Sequence, residues 1–543
     1  MSSPKEVVSD NVQETPSPNQ TPNPVAPSNR DEPKESIEDA NEPVPHLHAK
    51  TFLTVFAVCV IYFAQLINVV GAGALKQRLA DLHNRHHDRR SLPHRLPGRR
   101  LLGPPVVPHR PHGLRHRSIV VARATSMAMA IAGFTITGCS YGAQPLLHAG
   151  ASEVLPRRYR PWAQAADNLS AALGGLVALL AGGAFTRNGN AAVGVRNYWH
   201  MATAVYAAAT LLVLALYNPP KTAKQTQFTF SQKLAKLDWV GYALLSSGLV
   251  LFCMGLSWSQ NPYPWTDAHT VAPFVVGCAL CAALALYETR FKTDGMFHHG
   301  LFHRGRNFPI ALVCVFVEGL VFFAANNYFA FQVGVLYETD ALRTGLRYGV
   351  TMIVYGVAAV LAGLWCSKTR NVRWPTVVAF VSMIIFFVCM ATTTPTTSEP
   401  VWGYPVFLGI GLGICLCTLV TVAQLSTPPE LIAITSGLMI GVRSLGGSIG
   451  LASSLPQFIG LLAAQDTAAL AQVEGVTVDI IQAGAGALLK TYSLSFRFVW
   501  IAAGSITVAA AIGAFFLVEL ENEFNMHIDA PAEKDDDLYS NKS

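Results

Sequence analysis

Two ionisable side chains lie well inside long apolar stretches of this 543-residue chain, away from their ends. Glu318 is near the middle of the stretch 308–330, and Arg443 lies in a later one. A charge at the centre of a bilayer costs roughly 2.5 kcal/mol or more, so each residue is a candidate for function. Desolvation favours the protonated form of a carboxyl group, which makes Glu318 a candidate for carrying a proton. The alternative is a structural carboxyl group bonded to a neighbouring helix.

Further polar side chains occur within apolar stretches. Arg443 is a candidate for pairing with a carboxylate or an anionic ligand, with helix packing near the membrane boundary as the alternative. The uncharged side chains could bind a polar organic molecule in a central cavity, or form interhelical hydrogen bonds worth under ~1 kcal/mol each. These cavity candidates are Gln65, Asn68, Asn326, Asn327, Tyr328, Gln332 and Gln424.

The sequence carries none of the familiar signatures of catalysis. We find no phosphate-binding loop, no catalytic triad and no cluster of metal ligands. The ten Cys residues occur singly or in pairs, nearly all inside apolar stretches, as small packing residues do. This distribution argues against a disulfide framework or a zinc site. The sequence therefore predicts a protein that is not an enzyme and that uses no cofactor and no metal.

The elements that position these residues are predicted to be transmembrane helices. The chain is 51% hydrophobic and 13% charged, whereas soluble domains carry about 25% charged residues. About 20 apolar residues cross a bilayer, and the sequence contains twelve such stretches. They lie at 53–75, 124–147, 169–186, 197–217, 239–259, 268–287, 308–330, 345–366, 374–393, 401–424, 432–460 and 495–518. The predicted fold class is an all-α polytopic membrane protein.

The distribution of charge predicts the orientation of the chain. Alternate loops from residue 150 to residue 373 hold fourteen Lys and Arg, and the intervening loops from 187 onward hold about five. Cytoplasmic loops carry the positive excess, so both termini are predicted to be cytoplasmic. Residues 1–48 and the acidic segment 519–543 are polar and are predicted to be disordered tails.

Two segments indicate internal duplication. "PRRYRPWAQAADNLSAALGG" begins at Pro156, and "PELIAITSGLMIGVRSLGG" provides a similar loop-to-helix pattern late in the chain. Pro156 and Gly174 have the same separation as Pro428 and Gly446, and Leu-Gly-Gly closes both segments. A repeated half is typical of transporters built from parallel repeats.

These segments, taken in order, resemble the major facilitator superfamily. The relevant features are "LPRRYR" before a Gly-rich helix, "LDWVGYALLSSGLVLFCMGLSWSQNPYPW" from 237, "VEGLVFFAANNYFAFQVGVLY" from 317 and "GVRSLGGSIG" from 441. More narrowly, the chain is similar to the fourteen-span fungal drug:proton antiporter branch, near the trichothecene efflux pumps and siderophore transporters. The likeness covers about residues 50–520.

The resemblance implies the major facilitator fold, with two six-helix bundles and two linking helices. Here these would be an N-terminal bundle at 49–217, the linking helices at 218–307 and a C-terminal bundle at 308–518. Four glycines occupy the position of the family's antiporter motif in the fifth span, but its usual Gly-Pro is absent, which weakens the inference of antiport. The predicted helix-packing glycines are Gly174, Gly175, Gly182, Gly183, Gly446 and Gly447.

The function implied by the resemblance is proton-coupled efflux of a small organic compound, such as a toxin, drug or secondary metabolite, by alternating access. Siderophore-iron import by proton symport is the alternative. The expected partners are the substrate, protons and the lipid bilayer, with no nucleic acid. The chain is expected to be a monomer in the plasma membrane.

A basic tract, residues 83–117, stands where that branch has its second and third spans, so twelve spans appear where fourteen are expected. Ten Arg and two Asp between residues 78 and 117, with seven His, could bind nucleic acid, acidic lipid or a metal. The His spacing fits no standard zinc site, and the tract is predicted to lie on the non-cytoplasmic side. A membrane-anchored basic binding protein remains an alternative.

The genetic code suggests another origin for the tract. Codons for "RRLLGPPVV", from Arg99, permit "ADYWGRRW" when they are read one nucleotide later, and this is the form of the family's motif between those spans. We hypothesise that residues 76–117 are an out-of-frame segment that replaces spans two and three. On this hypothesis the chain as written could be the non-functional product of a frameshifted gene.

Overall fold

The structure, a computed structural model, describes the helical part of the chain. The described residues are 49–91, 127–187, 191–216, 230–235, 237–259, 263–292, 295–303, 305–338, 340–462 and 478–529. The predicted tail at 1–48 and residues 92–117 of the basic tract lie outside them. Within the described residues every regular element is a helix, in agreement with the predicted fold class.

The longer helices of the described residues are numbered in chain order. They are α1 (Ala49–Ser91), α2 (Met127–Tyr141), α3 (Gln144–Glu153), α4 (Arg160–Arg187), α5 (Ala191–Leu216), α6 (Trp239–Trp258), α7 (Ala268–Leu286), α8 (Asn307–Leu336), α9 (Ala341–Thr369), α10 (Arg373–Ala391), α11 (Pro405–Leu425), α12 (Ile432–Leu462) and α13 (Val478–Phe515). Short helices are Phe230–Ala235 and Gly300–His303, with a π-helical turn at Tyr287–Phe291 and 3-10 turns at Arg157–Tyr159, Pro400–Trp402, Pro429–Leu431 and Glu521–Glu523.

In the part of the chain that the structure describes, eleven helical stretches are long and apolar enough to cross a membrane. The predicted span 124–147 differs, because it falls on α2 and α3, which have 15 and 10 residues. A turn at Gly142 and Ala143 separates them. Pro145 lies in the first turn of α3, where a proline's missing N–H does not disrupt the helix.

Large apolar side chains cover the outside of the helices as well as their interior. Leu214 in α5 is 76% exposed, and Phe498 in α13 is 68% exposed. Helices that are apolar all round are typical of chains embedded in lipid, since hydrocarbon solvates the outer faces. The chain is thus a multi-pass membrane protein.

Helices α6 and α7 form a hairpin between the two groups of longer helices. Asp238 begins α6 by accepting a hydrogen bond from the backbone N of Gly241 (3.0 Å), and Asp267 begins α7 in the same way with His269 (2.8 Å). The helices approach closely at Gly255, where a Cβ would come within 2.7 Å of the backbone of Phe274. The hairpin packs on the rest of the molecule through contacts of α6 with α12.

The two segments of the predicted duplication have the same local structure. Pro156 and Pro428 have nearly identical backbone angles (φ −53°, ψ 146° and φ −56°, ψ 144°), and each is followed by a 3-10 turn and then a long helix. A Cβ on Gly174 would meet the carbonyl oxygen of Phe63 in α1, and one on Gly446 would meet that of Phe316 in α8. Each repeated helix therefore crosses the first helix of its own bundle at the same point.

The N-terminal bundle, α1–α5, and the C-terminal bundle, α8–α13, meet mainly through α4 and α9. At one end of this contact the Cβ of Ala165 lies against Gly363, and at the other end Leu342 lies against Gly183. Small residues let the two backbones approach closely along the full length of the helices. Further contacts join α3 to α12 and α4 to α11, and residues between these helices occupy the centre of the molecule.

Candidate functional site

The predicted proton-carrying residue, Glu318, and the predicted cation, Arg443, form one ion pair. Arg443 donates from Nε to Glu318 Oε2 (2.6 Å) and from Nη2 to Oε1 (3.0 Å), so both carboxylate oxygens are engaged. Both side chains are buried. Two-point pairing of this kind is strong and orients the two groups. Among the alternatives that the sequence left open for Arg443, the structure thus selects a carboxylate partner.

Local sequence explains how this pair forms. The α8 backbone has no side chain at Gly319, where a Cβ would collide with the carbonyl oxygen of Arg443, so α12 can approach α8. The ring of the next aromatic residue, Phe322, faces the Arg443 guanidinium, and the ring centroid lies 4.7 Å from Arg443 Cζ. A cation over an aromatic face is stabilised by about 0.5–2 kcal/mol, more when it is desolvated. The glycine and the ring together hold Arg443 against Glu318.

One predicted cavity residue, Gln332, forms its side-chain hydrogen bonds inside the C-terminal bundle. Its Nε2 donates to Thr393 Oγ1 (2.7 Å), and its Oε1 accepts a hydrogen bond from Trp500 Nε1 (2.7 Å). Both polar ends of the amide are satisfied within the bundle, and Trp500 packs against Phe386 and Phe387. The structure therefore separates Gln332 from the central polar residues.

The remaining candidates of α8 are placed differently. Asn326 and Tyr328 are buried, and Asn327 is partly buried with its Nδ2 donating to the backbone oxygen of Phe323 (2.7 Å). In α1, Gln65 is buried and its backbone oxygen accepts a hydrogen bond from the Tyr141 hydroxyl.

Asn68, also in α1, differs from these because neither amide atom has a hydrogen-bond partner among the described residues, although the side chain is only 2% exposed. Burial of an amide without a partner costs roughly 1–3 kcal/mol. Asn68 is thus a buried amide with unused hydrogen-bonding capacity. Among the candidates in α1 and α8, it is the best placed to gain a bond from a ligand.

Gln424, in α11, connects the two bundles. Its Nε2 donates to the backbone oxygen of His148 in α3 (3.2 Å) and to Ser436 Oγ in α12 (3.0 Å). Its own backbone oxygen accepts from Arg160 (3.2 Å). Gln424 is therefore an interface residue.

Four buried polar residues of the N-terminal bundle were not predicted from the sequence as site residues. Asp167 and Asn168 lie in the third turn of α4, near His148 of α3 and one turn after Gln164. The Tyr355 hydroxyl of α9 donates to Asn168 Oδ1 (2.7 Å), a bond between the bundles.

The position of Asp167 and Asn168 was missed because the predicted span began at 169, with Asn168 at its boundary. The helix instead begins at Arg160, so both residues lie inside it. An aspartate directly before the apolar run was the available signal.

Tyr62 of α1 lies where these groups converge. Its phenol lies within electrostatic range of Arg443, Asp167 and Glu318, and its ring contacts that of His148 edge to face with centroids 5.2 Å apart. Its hydroxyl accepts a hydrogen bond from Gln144 Nε2 (3.1 Å). Polar groups of both bundles therefore lie in the neighbourhood of Tyr62, and we define this central site as Tyr62, His148, Asp167, Glu318 and Arg443.

The predicted packing glycines all lie at helix contacts. Gly174 faces α1, Gly175 faces the sulfur of Met352 in α9, and Gly183 faces the backbone of Leu342. A Cβ on Gly182 would lie 4.0 Å from the Tyr198 ring. Gly446 and Gly447 face Phe316 and Phe323 of α8.

One end of the bundle interface is closed by the segment after α13, which differs from the predicted disorder of 519–543. The backbone N of Arg157 donates to His527 O (3.0 Å), and that of Arg158 donates to Asn525 O (2.9 Å). Arg157 also binds Glu523 (3.0 Å) and Asp529 (3.1 Å), and Arg160 pairs with Asp529. The basic loop supplies these partners, so residues 519–529 are ordered, while 530–543 lie outside the described residues.

No metal centre is found in the described segments, since no three His, Cys, Asp or Glu side chains there are close enough to hold an ion. The family model described as Major Facilitator Superfamily matches residues 118–451. The match begins directly after the basic tract ends at Arg117.

Several fungal proteins are similar to the chain over part of its length. "MFS-type transporter prx5" of Penicillium rubens is 23% identical over 61% of this chain and 61% of that protein. "MFS-type efflux pump MFS1" of Arthroderma benhamiae is 22% identical over 62% of each. "Efflux pump FUS6" of Gibberella fujikuroi is 24% identical over 52% of this chain and 50% of that protein. The chain thus spans about half to three fifths of the length of these relatives.

Solved structures of transporters are also similar. A bacterial homolog of the human lysosomal transporter Spinster, inward-facing and occupied, has a TM-score of 0.46 and 14% identity, covering 87% of this chain and 97% of that one. The proton:xylose symporter XylE has a TM-score of 0.42 and 14% identity, covering 89% of this chain and 90% of that one.

Proposed function

Because the chain belongs to the major facilitator superfamily, we propose that it is a secondary active transporter that exports a small organic compound in exchange for protons. The substrate is a toxin, drug or secondary metabolite. Export is supported by the names of two similar fungal proteins, both efflux pumps. The protein acts as a monomer in the plasma membrane.

The observation that carries this proposal is the convergence of polar groups at Tyr62. The N-terminal bundle contributes His148 and Asp167, and the C-terminal bundle contributes Glu318 and Arg443. Ionisable groups deep in a membrane protein are costly and typically serve ion or substrate movement. A site shared by two repeated bundles is the arrangement that alternating access requires, since one bundle can rotate relative to the other around the site.

Asn68 and the ion pair supply the chemistry for binding a polar substrate. Asn68 offers a donor and an acceptor without partners among the described residues, and Arg443 offers a guanidinium held by Glu318 alone among the acidic groups described there. A substrate amino group can donate to the amide oxygen of Asn68, and a substrate carbonyl can accept from its amide nitrogen. A substrate carboxylate can compete with Glu318 for Arg443. The aromatic rings of Tyr62 and Phe322 provide apolar surface beside these groups.

The bonds at the bundle interface suit reversible opening. Gln424 reaches His148, and Tyr355 reaches Asn168, each through one hydrogen bond between bundles. Such bonds contribute about 0.5–1.5 kcal/mol each and can be exchanged for water. The end closed by Arg157 and Asp529 is proposed to face the cytoplasm, in keeping with the Lys and Arg excess of those loops. Both termini then lie in the cytoplasm, and the closed end must open for the substrate to load.

Transport can be tested directly with the full-length protein in sealed vesicles, using ethidium as the probe. With acid inside, a proton antiporter accumulates ethidium as protons leave, and a protonophore abolishes the accumulation. Vesicles without protein serve as the control. Accumulation that is unaffected by collapse of the pH gradient contradicts proton coupling. Uptake of a ferric siderophore together with protons, without ethidium movement, favours the importer instead.

A further inference from the structure

Asp167 is a buried carboxyl group without a Lys or Arg partner among the described residues. It is fully buried in α4. Its Oδ1 accepts a weak hydrogen bond from Cys59 Sγ (3.5 Å), and its Oδ2 has no hydrogen-bond partner but lies 3.6 Å from His148 Nδ1. In contrast, both oxygens of Glu318 are held by Arg443, so Glu318 must lose that partner to take up a proton.

The hydrogen bonds of Gln164 determine which nitrogen of His148 carries hydrogen. Gln164 Nε2 donates to the backbone oxygen of His148 (3.1 Å) and to Ser152 Oγ (2.7 Å), so its amide orientation is set. Its Oε1, an acceptor only, lies 2.8 Å from His148 Nδ1, which must therefore be the donor. In the neutral ring Nε2 is then the bare nitrogen, and it has no partner among the described residues although it is buried.

The two residues together can hold one proton in two places. With the carboxylate ionised and the ring neutral, the pair carries one negative charge. One proton added to Asp167 Oδ2 or to His148 Nε2 makes the pair neutral overall, as a carboxylic acid beside an imidazole or a carboxylate beside an imidazolium. A low-dielectric site favours the neutral pair over the charged one. Contact with water lowers the free energy needed to remove the proton.

Other titratable groups face this pair from each neighbouring helix. Cys59 and Tyr62 face it from α1, and Tyr355 of α9 lies beside the adjacent Asn168. From the C-terminal bundle, Arg443, paired with Glu318, lies within electrostatic range of His148. Cys417 of α11 contacts the start of α4 through the backbone oxygen of Pro161.

The pair also lies where the bundles separate. The backbone of His148 accepts the inter-bundle hydrogen bond of Gln424, and Asn168, the residue after Asp167, accepts that of Tyr355. Opening the interface would break these bonds and admit water to the pair. Closing it would remove the water and favour the neutral form.

We propose that Asp167 and His148 together hold the driving proton, and that Glu318 and Arg443 form a separate ion pair that binds and positions the substrate. This inference rests on the proposed proton-coupled transport. In one cycle a proton from water joins the pair on one side, and the same proton leaves to water on the other side. No other bond is made or broken.

The first test needs no transport substrate. Infrared spectra of the purified full-length protein are recorded while the pH is varied between about 5 and 8, the range in which histidine normally titrates. We expect a band of a protonated buried carboxyl group that titrates in the wild type and in the double variant Glu318→Gln with Arg443→Met, which leaves no unpaired charge at that position, and that is lost in Asp167→Asn. Its persistence in Asp167→Asn overturns the proposal.

If Asp167→Asn does not fold, His148→Gln provides the same test. Glutamine cannot share the proton, so the titration midpoint of the carboxyl band must move, and an unchanged midpoint overturns the proposal. Glu430→Gln, an exposed carboxyl group in the turn before α12, is the matched control and leaves the band unchanged.

The second test uses ethidium in vesicles. Asp167→Asn should lose accumulation driven by the pH gradient but keep exchange of internal for external ethidium, because exchange needs no net proton movement. Gradient-driven accumulation in Asp167→Asn contradicts the assignment of the proton. If the wild type itself does not move ethidium, proposed export of this probe fails, while the infrared titration still decides the proton site.

Discussion

Arg443 of α12 binds Glu318 of α8 through both carboxylate oxygens, at 2.6 and 3.0 Å, in the buried centre of the molecule. This single relationship joins the two ionisable residues that stand out in the apolar sequence. Helices α8 and α12 cross at Gly319, where the backbone of α12 lies against α8. The pair therefore contributes both to the architecture of the C-terminal bundle and to the proposed substrate site.

Removal of one partner of this pair should be strongly destabilising. Arg443→Met leaves the Glu318 carboxylate buried without a cation, which typically costs about 3–5 kcal/mol. The double variant Glu318→Gln with Arg443→Met removes both charges and should recover most of that loss. Thermal unfolding of the detergent-solubilised protein measures this. Equal melting temperatures for Arg443→Met and for the double variant would show that Glu318 and Arg443 do not stabilise each other.

The glycines of α12 differ in what a methyl group would meet. At Gly446 a Cβ collides with the Phe316 carbonyl, whereas at Gly441 nothing lies within 4 Å. Gly446→Ala should therefore destabilise the protein by roughly 1–3 kcal/mol. Gly441→Ala, its matched control, should be neutral or stabilising by up to about 1 kcal/mol because alanine favours helix. Melting temperatures of both variants check this, and a Gly446→Ala protein as stable as the control contradicts the crossing.

The segment after α13 is predicted to act as a closure that must release during transport. The backbone bond between Arg158 and Asn525 (2.9 Å) implies a Cα separation near the 4.4–6.8 Å that disulfides span. Oxidation of Arg158→Cys with Asn525→Cys should stop ethidium transport in vesicles, and reduction should restore it. The single Arg158→Cys protein is the control. Undiminished transport by the cross-linked protein would mean that this end need not open.

Burial raises the pKa of Glu153, at the end of α3, above its ordinary value, and nearby Arg160 offsets part of the increase. A raised carboxyl pKa means that folding is penalised when the group is ionised. The penalty is present above the folded-state pKa and disappears as the pH falls below the ordinary pKa of about 4.3. Glu153→Gln should therefore raise the melting temperature near pH 7 and change it little near pH 4. The same shift at both pH values contradicts this reading.

The basic tract should not be required in its present form. The family match begins at residue 118, one residue after the tract, which supports the proposal that residues 76–117 are translated out of frame. Sequencing of the cDNA across this region is the direct measurement, and an intact transcript encoding "HNRHHDRR" contradicts the proposal. Replacing 76–117 with the shifted translation should increase ethidium transport relative to the chain as written.

The local sequence determines much of this molecule. Runs of apolar residues define most of the helices because a bilayer requires continuous hydrogen-bonded apolar segments. The matched spacing of Pro156 to Gly174 and Pro428 to Gly446 predicted a repeat, and the structure has the same turn and crossing at both places. Glu318 and Arg443 could be selected as exceptional because a charge within an apolar run is visible in the sequence itself.

Only the tertiary structure decided which of these residues meet. Glu318 and Arg443 are paired because α8 and α12 cross. Gln332 instead forms hydrogen bonds with Trp500 and Thr393 inside the C-terminal bundle. Asp167 and His148 were not selected, because each stands near a helix end in the sequence and looks accessible to water. Their burial arises because α1, α9 and α11 pack on α4 and because α1 and α12 pack on α3, and such contacts between distant segments leave no periodic signal in the chain.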